Sequence, residues 1–294
     1  MNQAFRIAQA KRKAEVFLRD NKIETLPVDP FAIAANLDIV VEAKSDAESG
    51  VSGMLLRHGN SFGIVYATHV ASEGFQRFSV AHELGHYFLD GHIDHVLRDG
   101  VHTSRAGFIS ADPYESEADN FAAGLLMPAN PFQRALRKCE PGLSAVESMA
   151  TLCRTSLTAT AIRYAELADE AVAVIVSTGQ TIDYCRLSES MKSLRELNWL
   201  RKGSPVPMNT ATAQLNGKPD RVACAERATQ EIDITDWLGG VRSVQALEEV
   251  VGLGSYGKTL TVLVCPSISG DIEEDEVSAE EESLAEQWTP RFRR

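Results

Sequence analysis

The sequence predicts an α+β protein built from more than one module. Three observations carry that reading. Residues 78–89 form an amphipathic helical run holding His82-Glu83-Leu84-Gly85-His86. Residues 51–67 hold two β-type runs flanking a turn signal at His58-Gly59-Asn60. Apolar β-type runs recur far downstream at 171–176 and 260–265, so the motif-bearing part fills less than half of the 294 residues.

The first element is a helix over 5–20, where Ala8, Ala10, Ala14, Val16, Phe17 and Leu18 lie among charges. A strand follows at 38–42, then the 51–67 hairpin. In metalloproteases an edge strand near the metal often holds an extended substrate by backbone pairing, and this hairpin is the candidate, against ordinary core sheet.

The helix at 78–89 carries the chemistry. Residues four apart share a helix face, so His82 and His86 can reach one ion. Glu83, offset by one position, can take a proton from water acidified by that ion. The competing reading is a buried helix whose histidines bond to backbone and whose Glu is solvated. Gly85 argues against an ordinary helix interior: it costs about 1 kcal/mol there relative to Ala, which makes sense where another backbone passes close. Asp90-Gly91 then ends the helix.

A zinc site needs a third protein ligand. His92 lies ten residues after His82, as in the H-E-x-x-H-x-x-G-x-x-H pattern. The Gly which that pattern requires is replaced here by Leu89 and displaced to Gly91, so His92 is read as a loop histidine. The stronger candidate sits on the next helix. Asp112 suits its N-cap and Pro113 its first position, an apolar stripe follows from Tyr114 to Leu126, and Met127-Pro128 closes it. Glu115 and Asp119 lie one turn apart on one face. Glu115 can act as a ligand, and Asp119 can bond the far nitrogen of a ligand histidine. The alternatives are a capping-box role for Glu115 and a surface role for Asp119. Glu117 points to another face and reads as a structural acid.

These residues carry a family resemblance. Residues 78–86 and 115–128, together with the upstream Leu26-Pro27-Val28-Asp29-Pro30-Phe31-Ala32-Ile33-Ala34, resemble the ImmA/IrrE metallo-endopeptidases over roughly residues 5–130. The resemblance implies a cytosolic, zinc-dependent endopeptidase with a zincin-like domain. Its substrates would be repressors or antitoxin-like regulators of the Xre/Cro helix-turn-helix class, whose cleavage switches on stress-response or mobile-element genes. Carried onto this chain, His82, His86 and Glu115 would hold Zn2+, with Mn2+ as an alternative ion, and Glu83 would be the general base. Tyr87, His92 and His102 are the candidate donors to the oxyanion. The competing class is a non-proteolytic regulator that binds a repressor or DNA around a structural metal.

Residues 143–168 read as two short helices around Arg154-Thr155-Ser156, an arrangement resembling a helix-turn-helix. Arg154 and Arg163 are its only basic residues, against Glu147 and Glu166, too few for a phosphate-binding face. Packing or partner binding is the preferred role, and direct DNA binding is not expected. Residues 170–266 read as a small α+β domain with helical stretches near 188–198 and 243–251. The resemblance implies a GAF-type sensor here, and a scaffold for dimers or substrate docking fits equally. The Gly-rich run 252–258 lacks phosphate-loop spacing and precedes a strand.

The expected organisation is a zinc metallopeptidase domain over 1–135, a helix-turn-helix-like segment over 136–168, an α+β regulatory or docking domain over 169–266, and a tail over 267–294. The net charge is −12, and residues 271–294 hold nine acids against three arginines, a composition of disordered extensions. No apolar run approaches the ~18–20 residues of a membrane span, and the first residues lack a signal-peptide core. The five widely spaced cysteines read as reduced thiols. A cytoplasmic protein is expected.

Overall fold

The computed structural model describes residues 3–45, 50–98, 100–105, 112–194, 197–198, 200–240 and 243–265. The acidic tail expected over 267–294 lies outside them.

Helix α1 (Gln3–Asp20) buries Ala10, Ala14 and Leu18, a stripe of fourfold spacing. Helix α2 (Pro30–Asn36) starts where Asp29 accepts from the Phe31 and Ala32 amides and Pro30 needs no donor. Strands β1 (Val40–Lys44), β2 (Val51–His58), β3 (Ser61–Ala67) and β4 (Val101–Arg105) form a sheet of order β1-β3-β2-β4. β2 and β3 are the expected hairpin, antiparallel with Leu55 opposite Ile64. Both are interior strands: β1 lies beyond β3 and β4 beyond β2. The hairpin is therefore not the edge; β1, which precedes it, covers one side and β4, from distant chain, the other. β4 is the edge.

Helix α3 (Glu73–Phe88) carries the histidine motif and starts at Ser72, whose hydroxyl accepts from the Phe75 amide. Helix α4 (His92–Val96) follows at once, because Gly91 adopts φ 79° as its N-cap. His92 is thus the first residue of a helix and buried, not a loop histidine. Helix α5 (Pro113–Leu126) begins at Asp112 as its N-cap. Gly124 lets α1 approach: a Cβ there would meet the Lys11 carbonyl oxygen at 2.9 Å. Helices α6 (Ala129–Leu136), α7 (Leu143–Cys153) and α8 (Leu157–Leu167) complete this half.

The rest is an antiparallel sheet flanked by short helices. Strands β5 (Ala171–Thr178), β6 (Thr181–Leu187), β7 (Arg227–Asp233), β8 (Gln245–Gly252) and β9 (Lys258–Cys265) take the order β6-β5-β9-β8-β7. Helices α9 (Glu189–Ser193), α10 (Ala211–Asn216), α11 (Pro219–Ala223) and α12 (Ile234–Leu238) connect them. Val172, Val174, Val176, Val262 and Val264 join the main core with α7 and α8, while Ala173, Ile175 and Leu263 pack on Trp237 and Leu238. Burial on both faces explains the unbroken apolar runs in β5 and β9.

Two expectations change here. Residues 243–251 are not helical: Leu247, Val250 and Val251 suit helical spacing, but the segment pairs on both sides, with β7 and β9. Tertiary pairing outweighs the local pattern. Near 188–198 the helix is only Glu189–Ser193. The Gly-rich run is the β8–β9 turn, with Gly254 and Gly257 at φ 63°.

Candidate metal centre

The buried face of α3 presents His82, Glu83 and His86 to the cleft between α5 and the first sheet. The Nε2 atoms of His82 and His86 come within 3.1 Å of each other. Glu115, in the first turn of α5, places Oε2 3.3 Å from His82 Nε2 and Oε1 3.2 Å from His86 Nε2. Gly85 makes this crossing close: a Cβ there would lie 3.0 Å from the Ala118 Cα and 3.1 Å from its carbonyl oxygen.

One ligand atom from each of His82, His86 and Glu115 lies within 4.8 Å of the others. Two imidazole nitrogens and one carboxylate oxygen suit zinc. Glu83 supplies an independent sign. Its side chain is fully buried, and neither carboxylate oxygen has a hydrogen-bond partner among the described residues. A buried carboxylate left so is costly unless a cation or a proton accompanies it. The residues present therefore fit a divalent ion. The nitrogen-rich set favours zinc over Mn2+, which prefers oxygen ligands.

Electrostatics divide the two histidines. Burial opposes charge on His82, but hydrogen bonds to Asp119 and Glu115 overcome it and hold the imidazole up to about 10. Burial and the neighbouring His82 charge push His86 down to about 3, against the Glu115 hydrogen bond. Glu115 lies well below the usual carboxylate range: burial opposes this, but hydrogen bonds from His102, His82 and His86 prevail. Burial raises Glu83, with the neighbouring His82 charge offsetting part of it. Burial also lowers His92, keeping it neutral.

The remaining candidates fall in different places. Asp119 Oδ1 lies 2.8 Å from His82 Nδ1, the far nitrogen of that ring. Glu117 meets Arg6 and His92 instead of the ligand cluster. Of the three oxyanion-donor candidates, only His102 reaches the cluster, with Nε2 3.0 Å from Glu115 Oε1. His92 lies behind His86, and Tyr87 packs on Phe62 and Phe88. Sequence reasoning missed Gly53 of β2, where a Cβ would come 2.7 Å from Glu83 Oε1. A glycine within a β-type run was the available signal.

The α7–α8 pair turns its connection toward α3. A Cβ on Gly74 would meet the Ser156 amide nitrogen at 2.6 Å, and Arg154 pairs with Glu73. Arg163 is buried, donating to the Met127 carbonyl and pairing with Glu15 and Glu166. Both basic residues of the segment are engaged within the chain. No helix among the described residues is long and apolar enough to cross a membrane. All five cysteines are free.

Comparison with known proteins bears on this site. Residues 34–162 match the model of the M78 peptidase family, described as the IrrE N-terminal-like domain; the match takes in the α3 motif, Glu115, Asp119 and most of the helix pair. No curated protein matches the chain. A solved structure described as a Mycobacterium tuberculosis transcriptional regulator is similar at 15% identity, with a TM-score of 0.57, over 87% of this chain and 76% of that one. At that identity the likeness concerns the fold alone.

Proposed function

We propose that this chain, whose residues 34–162 match the M78 peptidase model, is a zinc-dependent endopeptidase of the ImmA/IrrE type that cleaves a protein regulator. The observation that carries the reading is the orphaned, buried Glu83 carboxylate beside the convergent His82, His86 and Glu115. Those three residues would hold Zn2+, which supplies Lewis-acid polarisation of a peptide carbonyl and lowers the pKa of water. Glu83 takes a proton from the attacking water and returns it to the leaving amine nitrogen. Burial supports that role by raising its basicity. Asp119 accepts the Nδ1 proton of His82, which leaves Nε2 free as a donor atom. His102 is the side chain placed to donate to the substrate oxygen as charge develops there.

An extended substrate segment pairs with edge strand β4, which brings it past His102. We assign the substrate to the Xre/Cro helix-turn-helix repressors, so that cleavage derepresses stress or mobile-element genes in the cytoplasm. The second sheet, within 169–266, serves docking or regulation. The competing reading is a regulator that binds such a repressor, or DNA, without cutting. Contact with DNA through the α7–α8 pair is disfavoured by the burial of Arg163, which leaves Arg154, itself paired with Glu73 at the surface, as the segment's one exposed cation.

The test is cleavage of a helix-turn-helix repressor encoded beside this gene, with zinc and with chelator, fragments being weighed by mass spectrometry. Wild type should cut; Glu83→Gln should keep zinc and lose at least about 100-fold in rate, the scale of general-base catalysis. Full activity in Glu83→Gln would sink the protease reading.

A further inference from the structure

The far nitrogens of the two ligand-type histidines have different partners. His82 Nδ1 faces a carboxylate directly. His86 Nδ1, fully buried, faces another imidazole: His92 Nδ1 lies 3.1 Å away. The left-handed turn at Gly91 makes this meeting possible by folding α4 back against the end of α3. His92 is itself buried, and its Nε2 lies 3.3 Å from Glu117 Oε2. The other oxygen of Glu117 pairs with Arg6 Nε of α1 at 2.5 Å. The Arg6 guanidinium and the His92 ring both rest on Tyr114, at 5.2 and 4.9 Å from its centroid.

Two ring nitrogens that face each other can share one proton, so one must donate and the other accept. For His86 Nε2 to present a lone pair to an ion shared with His82 and Glu115, its proton must sit on Nδ1. His92 must then accept at Nδ1 and carry its own proton on Nε2. Glu117 accepts that second proton, and Arg6 faces the outer side of its charge. Every member of the row has one available role. A carboxylate in place of His92 would put a third acid beside Glu83 and Glu115; the neutral ring passes the orientation on without adding charge.

We propose that His92 and Glu117 are positioning residues for His86. The Arg6–Glu117–His92 row holds the His86 proton on Nδ1 and keeps Nε2 open for a divalent ion. This rests on the metal-site reading above. Neither residue touches the ion; both act through His86.

The test uses the full chain and zinc, without substrate. In the unaltered zinc-loaded protein, long-range 1H–15N correlations should place the His86 proton on Nδ1 and the His92 proton on Nε2. The opposite tautomer of His92 would overturn the proposal without any variant. Chelator competition then measures zinc affinity. His92→Phe fills the volume but offers no acceptor, and it should weaken zinc binding about 10–100-fold, the range found for partners of ligand histidines. His92→Asn keeps an acceptor near the Nδ1 position and should recover most of that loss. Wild-type affinity in His92→Phe, or equal loss in both variants, would assign His92 to packing alone. A wild-type chain that takes up no zinc would instead refute the metal centre itself.

Discussion

Replacing Gly85 by Ala sets two effects of known size against each other. An alanine is worth about 1 kcal/mol over glycine inside a helix. Here the new methyl would lie 3.0 Å from the Ala118 Cα, 3.1 Å from its carbonyl oxygen and 3.3 Å from its Cβ. Carbon atoms rest at about 3.5 Å or more, so α3 and α5 must separate by roughly half an ångström. The nearest obstacles are backbone and cannot swing aside. Overpacking of this kind costs about 1–3 kcal/mol, so the net change runs from neutral to about 2 kcal/mol of destabilisation. The site responds more sharply. Glu115 lies on α5 one turn before Ala118, and metal–ligand distances tolerate only about 0.2 Å. Zinc affinity should therefore fall about tenfold or more, the scale of a disturbed ligand shell. Thermal melting without zinc and chelator competition with it read the two quantities separately. Gly63→Ala is the control, since its methyl would meet nothing nearer than 3.7 Å. A Gly85→Ala protein with unchanged zinc affinity and a raised melting temperature would refute the close crossing of α3 and α5.

Two further predictions come from the same cleft. Gly53→Ala would press on Glu83 Oε1 from 2.7 Å, and the cleavage rate should drop about 100-fold, as for a general base misplaced by 1 Å, while zinc is retained; an unimpaired rate would remove Gly53 from the site. Zinc binding should release one proton near pH 7. His82, held up to about 10 against its burial by Asp119 and Glu115, carries a proton on Nε2 that the ion must displace, whereas His86, pushed down to about 3 chiefly by burial, has none to lose. Affinity should consequently rise about tenfold per pH unit through neutrality and fall on acidification, and buffer-dependent calorimetric heats that show no proton release would contradict the charge assigned to His82.

What was readable beforehand was local. The spacing that puts His82 and His86 on one face, the cap at Asp112 and the one-turn offset of Glu115 and Asp119 all lie within single helices, where periodicity fixes relative position. Gly85 also signalled correctly that another backbone crosses α3, without naming Ala118. The run at 243–251 failed because its apolar residues suit either period, and only pairing with β7 and β9 makes it a strand. The hairpin was legible, but its place inside the sheet was not, because β1 crosses over to pair in parallel beyond β3 and β4 arrives from distant chain.

The sequence by itself determined which ligand-type side chains share a helix face and which helices present them, since donor spacing on a helix needs no tertiary contact. Only the tertiary structure decided what surrounds them. It set Gly53 against Glu83, brought His102 to Glu115, and ran the row from His86 through His92 and Glu117 to Arg6. The physical reason is that these contacts join α1, α3, α4, α5, β2 and β4 through packing and strand register, which no window of the chain encodes.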